Sequence, residues 1–180
     1  MDWMHLVTTR EAIQLTGLST TTLREWTSRR ALIPADVPPK GQGTPAKYGW
    51  QTILILRLAV TLRDRFHLEL QAHRELFSDL KLGLTRISFI ALWGKALVLQ
   101  GGDRWSLLEE GDPASLHGDG IVIRLQGHLE ALSVGFSFPG PMSSPGQLEL
   151  FPAQALEASP PRMPKTPLAE PVVAERRKSA

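Results

Sequence analysis

"GLSTTTLREW", residues 17–26, decides how the chain is read. Ser19 or Thr20 is placed to cap a helix, because a side-chain oxygen there accepts one of the first free backbone amides. Leu23 and Trp26, three positions apart, then share the buried side, and Arg24, Glu25 and Thr27 face outward. Just upstream, "TTREAIQLTG" sets Ala12, Ile13 and Leu15 on a short helix, with Thr8 or Thr9 as its cap and Gly17 as its stop. Two short helices across a tight turn containing glycine are the sequence form of a helix-turn-helix.

Downstream, residues 33–49 hold four prolines, three glycines and two lysines. That density cannot extend a helix, so the segment is a loop or a two-stranded wing. "WQTILILRLAVTLRDRF" is helical, with Ile53, Leu56, Val60 and the residues beside them on a broad apolar face and Arg57, Thr61, Asp64 and Arg65 on the other. "LELQAHRELFSDLKLGL" reads as a further helix stopped at Gly83. "RISFIALWGKALVLQGGD" fits a buried helix or a strand running into a Gly-Gly turn. In "DGIVIRLQGHLEAL", Ile121, Ile123 and Leu125 point one way while Val122 and Arg124 point the other, which reads as a short strand leading into a helical turn. Beyond Phe138 the chain is rich in proline and poor in aromatics, nine of its last 42 residues being proline, so residues 139–180 are expected to be disordered.

Charge is unevenly spread along the 180 residues. The whole chain is only +2, yet residues 10–66 hold nine Lys/Arg against four Asp/Glu, while residues 85–138 hold four against six. A polyanion-binding surface therefore belongs in the N-terminal part. With no cysteine, disulfides and thiolate metal sites are excluded. The five histidines show no metal-ligand spacing, and no nucleophile, acid–base pair or phosphate loop stands out. No cofactor, no metal and no enzymatic activity are expected. The start of the chain carries an acid and no long apolar run, and no stretch approaches the roughly 20 apolar residues that cross a bilayer. The expectation is a cytoplasmic, nucleoid-associated protein without membrane contact.

The order helix, turn, helix, proline-rich wing, Lys-Tyr, long helix resembles the DNA-binding domain of the MerR family of bacterial regulators. The residues that carry the resemblance are "TLREW" (22–26), "RALIP" (30–34), "AKY" (46–48) and "RFHL" (65–68), over roughly the first 75 residues. The family's exit glycine is replaced by Arg30 or Ala31, and Arg65 stands where the family has glycine before its phenylalanine. The resemblance implies a winged helix-turn-helix that binds duplex DNA and regulates transcription. It also implies a homodimer, although the family's long antiparallel dimerisation helix has no heptad counterpart here. The expected fold is mainly α with a small β component. A winged helix-turn-helix at 5–84 is followed by a small mixed α/β subdomain at 85–138, for oligomerisation or partner contacts, and by the tail from 139.

The residues expected to touch DNA follow from their chemistry. A helix N-terminus offers amides to a phosphate, and Ser19, Thr20, Thr21 and Thr22 add hydroxyls there. Arg24 points outward one turn later, toward a guanine edge or the backbone. Arg10, Arg29 and Arg30 add charge, and Lys40, Lys47 and Tyr48 on the wing suit flanking phosphates or the minor groove. Trp26 is assigned to the core, and Trp50 either to the core or beneath the wing. In the tail, "GQLELFP" resembles the bacterial sliding-clamp-binding peptide, with Gln147, Leu148, Leu150 and Phe151 matching it. That second resemblance implies an adaptor in replication, repair or plasmid and phage maintenance; the alternative is that these apolar residues anchor the tail to the chain's own core.

Overall fold

Thr8 has extended backbone and opens the first helix, and the Glu11 carboxylate reaches back to accept its amide at 2.7 Å. Hydrogen bonding from the Thr8 amide and hydroxyl holds the Glu11 carboxyl below its ordinary range. This helix, α1 (Thr9–Thr16), ends where Gly17 takes the left-handed conformation, φ 73°, and returns its amide to the Ile13 carbonyl. The structure, a computed structural model, describes residues 5–41, 43–101, 103–109 and 119–140. About half of these are helical, and the strands form two small antiparallel sheets.

Ser19 caps the second helix, α2 (Thr20–Arg24), by accepting the Thr22 amide at 3.1 Å. The helix widens into a π turn over Glu25–Arg29, closed by the Arg30 amide on the Glu25 carbonyl. Strand β1 (Val7–Thr8) pairs antiparallel with β2 (Lys47–Tyr48), and Val37 bridges to Lys47 from the other side. The chain between 33 and 49 therefore crosses β2 before it enters α3 (Trp50–Phe66).

The outer face expected of α3 holds at its end, where Asp64 and Arg65 are exposed, and needs correction at Arg57. Ile53, Leu54, Ile55, Leu56, Leu58, Ala59 and Leu62 are all buried, and Arg57 is partly buried rather than outward. The cause is tertiary: α3 is flanked by α1, by α4 (Arg74–Leu84) and by α5 (Gln126–Phe136). The Arg57 guanidinium donates to the Leu15 carbonyl at the end of α1, and burial lowers its pKa. A cation suits that position, where unpaired carbonyls concentrate negative potential.

Gly83 is a second correction. It does not stop α4, which runs to Leu84 after a 3₁₀ turn at Leu70–His73. A Cβ at this glycine would lie 2.2 Å from Cζ2 of Trp105, so the glycine admits the indole against the helix. Trp105 belongs to β4 (Arg104–Glu109), one edge of a sheet whose central strand is β3 (Lys95–Gln100) and whose other edge is β5 (Gly120–Arg124). The ambiguous run at 86–103 is thus a short 3₁₀ turn at Ile90–Leu92 followed by a strand. Leu97 stands opposite both Leu107 and Ile123, and Leu97, Leu99 and Ile123 join the same core as α1 and α3. Leu125, Leu129, Leu132 and Phe136 complete that core, so the residues on either side of Gly83 bury their apolar surface together.

Candidate nucleic-acid interface

The first turn of α2 presents Ser19, Thr20 and Thr21 as exposed residues, with Thr22 half-buried. Ser19 is already engaged, since its Oγ receives the Thr22 amide and lies 2.9 Å from the Thr22 hydroxyl. Thr20 and Thr21 keep their side chains at the surface beside the helix N-terminus. Arg24 is exposed one turn later.

The π turn that follows redistributes the faces. Thr27, expected outside, is buried; its hydroxyl donates to the Leu23 carbonyl at 2.8 Å and lies 3.5 Å from the Tyr48 hydroxyl. The wider turn carries position 27 toward the core, and the Leu23 carbonyl satisfies the hydroxyl that burial would otherwise leave costly. Trp26 is buried as expected, and the Arg63 guanidinium lies over its ring, 5.1 Å from the centroid. Arg63 itself pairs with Asp64 at 2.6 Å, which fixes it there.

Arg29 and Arg30 are exposed, but Glu25 answers both: Arg30 at 2.7 Å and Arg29 more loosely at 3.8 Å. Their charge is partly neutralised from within the same turn. Arg10, Arg24, Lys40 and Lys47 differ, since all four are exposed and enter no ion pair among the described residues.

On β2 the strand period of two separates neighbours. Lys47 points out, while Tyr48 is only 1 % exposed. Tyr48 is therefore corrected from a DNA contact to a core residue that ties β2 to the π turn. The Lys47 backbone is held on both sides, by Thr8 in β1 and by hydrogen bonds to and from Val37 at 3.0 and 3.1 Å. Lys40 sits in the loop beside Gly41 and Gly43, both at positive φ.

Two residues that the sequence reading did not single out hold this loop. Asp36 accepts the Gly49 amide at 2.6 Å with one carboxylate oxygen and the Lys81 ammonium at 3.0 Å with the other. Lys81 also donates to the Pro34 carbonyl at 2.7 Å. An acid two residues before a Pro-Pro pair was the available signal for a loop staple; its partner on α4 was not legible. Trp50 is half-buried and meets Phe89 edge-on at 5.4 Å, in an aromatic group with Trp93, Phe136 and Phe138.

The clamp-like residues Gln147, Leu148, Leu150 and Phe151 lie outside the described residues. No group of three or more potential metal ligands occurs among the described residues. No helix among them is long and apolar enough to cross a membrane. No protein-family model matches the chain, and the search of curated proteins finds no match.

Proposed function

We infer that this protein binds duplex DNA with α2 and β2, as a MerR-like winged helix-turn-helix, and that it acts as a bacterial transcriptional regulator. The observation that carries the reading is a set of four exposed cations without an ion pair among the described residues, Arg10, Arg24, Lys40 and Lys47, distributed over α1, α2, the 33–49 loop and β2. A protein-binding surface has no need of uncompensated charge on all of these, whereas a phosphate backbone answers it. Thr20 and Thr21 at the helix start supply hydroxyl donors for one phosphate, and Arg24 reaches farther into the groove. Glu25 restrains Arg29 and Arg30, which limits the excess charge on the same surface.

The test is fluorescence anisotropy of the full chain on a mixed-sequence duplex across a salt series. Four cations placed on phosphates predict a log-log slope of about −3.6. Lys47→Ala should weaken binding on every sequence and reduce the slope by about 1. Arg24→Ala should cost about 1–3 kcal/mol if it reads a base edge. Arg86→Ala, an exposed arginine beyond α4, should change neither. Absent binding, or binding indifferent to salt and to both substitutions, refutes the reading.

A further inference from the structure

The stretch "GIVIR", residues 120–124, is β-branched through its middle and contains no proline. As β5 it pairs on one side only, because the sheet runs β4-β3-β5. The Leu125 amide donates to the Lys95 carbonyl at 3.1 Å, and this bond fixes the phase of the ladder. Hydrogen-bonded pairs then fall at Leu97–Ile123 and Leu99–Ile121, while Val98–Val122 and Gln100–Gly120 are the pairs without mutual bonds. The Val122 amide and carbonyl therefore point away from β3, and neither has a backbone partner among the described residues. A cavity of about 470 Å³ is lined by Val122, Ile123 and Arg124 on one side and by the end of α3 and His128 on the other, which leaves room beside the strand.

An unpaired edge is a template for another strand, and central charges, prolines or bulges are the usual protection against it. β5 has none of these before its last residue, and it is complementary to itself. Two copies laid antiparallel about a two-fold axis at Val122 set Val122 opposite Val122, Ile121 opposite Ile123 and Gly120 opposite Arg124. The phase is correct for pairing, since the outward amide and carbonyl of each Val122 meet their counterparts on the axis. Ile121 and Ile123 face each other on the core side of the sheet and the valines on the other, as apolar cross-strand pairs. Arg124 is already engaged within its own chain, and the register asks only for room, which Gly120 leaves. No like charges are opposed. β4, the other edge, has no equivalent register. Its outward groups belong to Trp105, Leu107 and Glu109, so a pairing that joined Arg104 to Glu109 would match an outward residue with an inward one. The allowed pairing about Leu107 sets the Trp105 ring against the Glu109 carboxylate.

We propose that β5 pairs with β5 of a second copy of this chain, joining two three-stranded sheets into one continuous antiparallel sheet about a two-fold axis at Val122. The contact is isologous, so it closes at two copies. A pair of five-residue strands buries less than the roughly 1,200 Å² of a standard interface, and the dimer accordingly forms with rising concentration. The proposal is independent of the DNA reading, because none of the cations assigned to DNA is on β5.

The experiment follows the mass of the full chain by sedimentation equilibrium from about 1 μM to about 1 mM. Val122→Lys puts two like charges on the axis, at an exposed side chain outside the core. The chain has no cysteine, so Val122→Cys supplies a single thiol. Opposed residues of a hydrogen-bonded antiparallel pair stand about 5.5 Å apart at Cα, within reach of a disulfide. Val134→Cys, exposed on α5, measures random collision, and Leu107→Cys reports pairing through β4. Support is a mass that rises toward the dimer with concentration and stays monomeric in Val122→Lys at an unchanged melting temperature. Val122→Cys should also couple at least about tenfold faster than either other thiol variant. Should Val122→Lys fail to fold, the coupling rates decide alone. A chain monomeric throughout, a dimer untouched by Val122→Lys, or Val122→Cys coupling no faster than Val134→Cys or Leu107→Cys overturns the proposal.

Discussion

Ala31 leaves the π turn at φ 46°, a conformation that suits glycine better than an L-residue with a Cβ. Ala31→Gly should therefore stabilise the protein by about 0.5–1 kcal/mol, because relief of the left-handed strain slightly exceeds the added freedom of the unfolded chain. A higher denaturant midpoint with an unchanged m-value is the expected result; a lower midpoint would show that the turn tolerates Ala31 without strain. His128 carries the pH prediction. Its folded pKa, about 4, is below the ordinary 6.5, so the unfolded chain binds more protons between these values. Its contribution is complete above about pH 6.5 and is lost as pH falls toward 4, on the order of 3 kcal/mol at most. Arg57 and Arg65 on α3 and Arg124 on β5 are the charged groups around it. His128→Gln should flatten the melting-temperature profile across that window; an unchanged profile would place the acid sensitivity elsewhere.

Between elements, packing at α4 against β4 depends on a missing side chain. Gly83→Ala adds a methyl that runs into the Trp105 ring, a rigid group with no flexible end to move aside. Better helix propensity returns up to about 1 kcal/mol, so the net expectation is a loss of about 1–2 kcal/mol. Chemical denaturation of the variant measures it, and a stabilised variant would mean that Trp105 stands off the helix in solution. The 33–49 loop illustrates the same dependence in polar form. Proline and glycine keep it from becoming helix, but Asp36 and Lys81 are what attach it to the start of α3 and to α4. Lys47 and Lys40 are presented from a segment anchored at both ends.

At the scale of the molecule, α5 closes the core over α1 and α3. A fragment ending at Leu84 would lose Leu129, Leu132 and Phe136, all buried, along with β3 and Ile123. At about 1.5–3 kcal/mol for each large apolar side chain, that loss rivals the roughly 5–15 kcal/mol that holds a whole domain. Residues 1–84 alone should therefore melt without a cooperative transition, while residues 1–143 melt cooperatively; calorimetry on both chains decides it. A sharp transition in the shorter fragment would show that residues 1–84 carry a sufficient core by themselves.

The local features were legible from the residues alone. A cap at Thr8 or Thr9 and another at Ser19 or Thr20, of which the structure takes Thr8 and Ser19, Gly17 as a stop, the helices around Ala12 and Leu23, and the burial of Trp26 depend on neighbours within one turn, where backbone hydrogen bonding and side-chain periodicity act directly. So did the concentration of positive charge before residue 66. Tertiary structure decided what those features become. Tyr48 and Thr27 turn inward, Arg57 is drawn to the Leu15 carbonyl, Gly83 receives Trp105, and His128 meets Arg65 across a cavity. Each of these depends on which distant segment occupies the adjacent space. Periodicity gives a side chain its direction from its own helix or strand, but burial depends on what is packed there, and only the folded chain brings that neighbour into place.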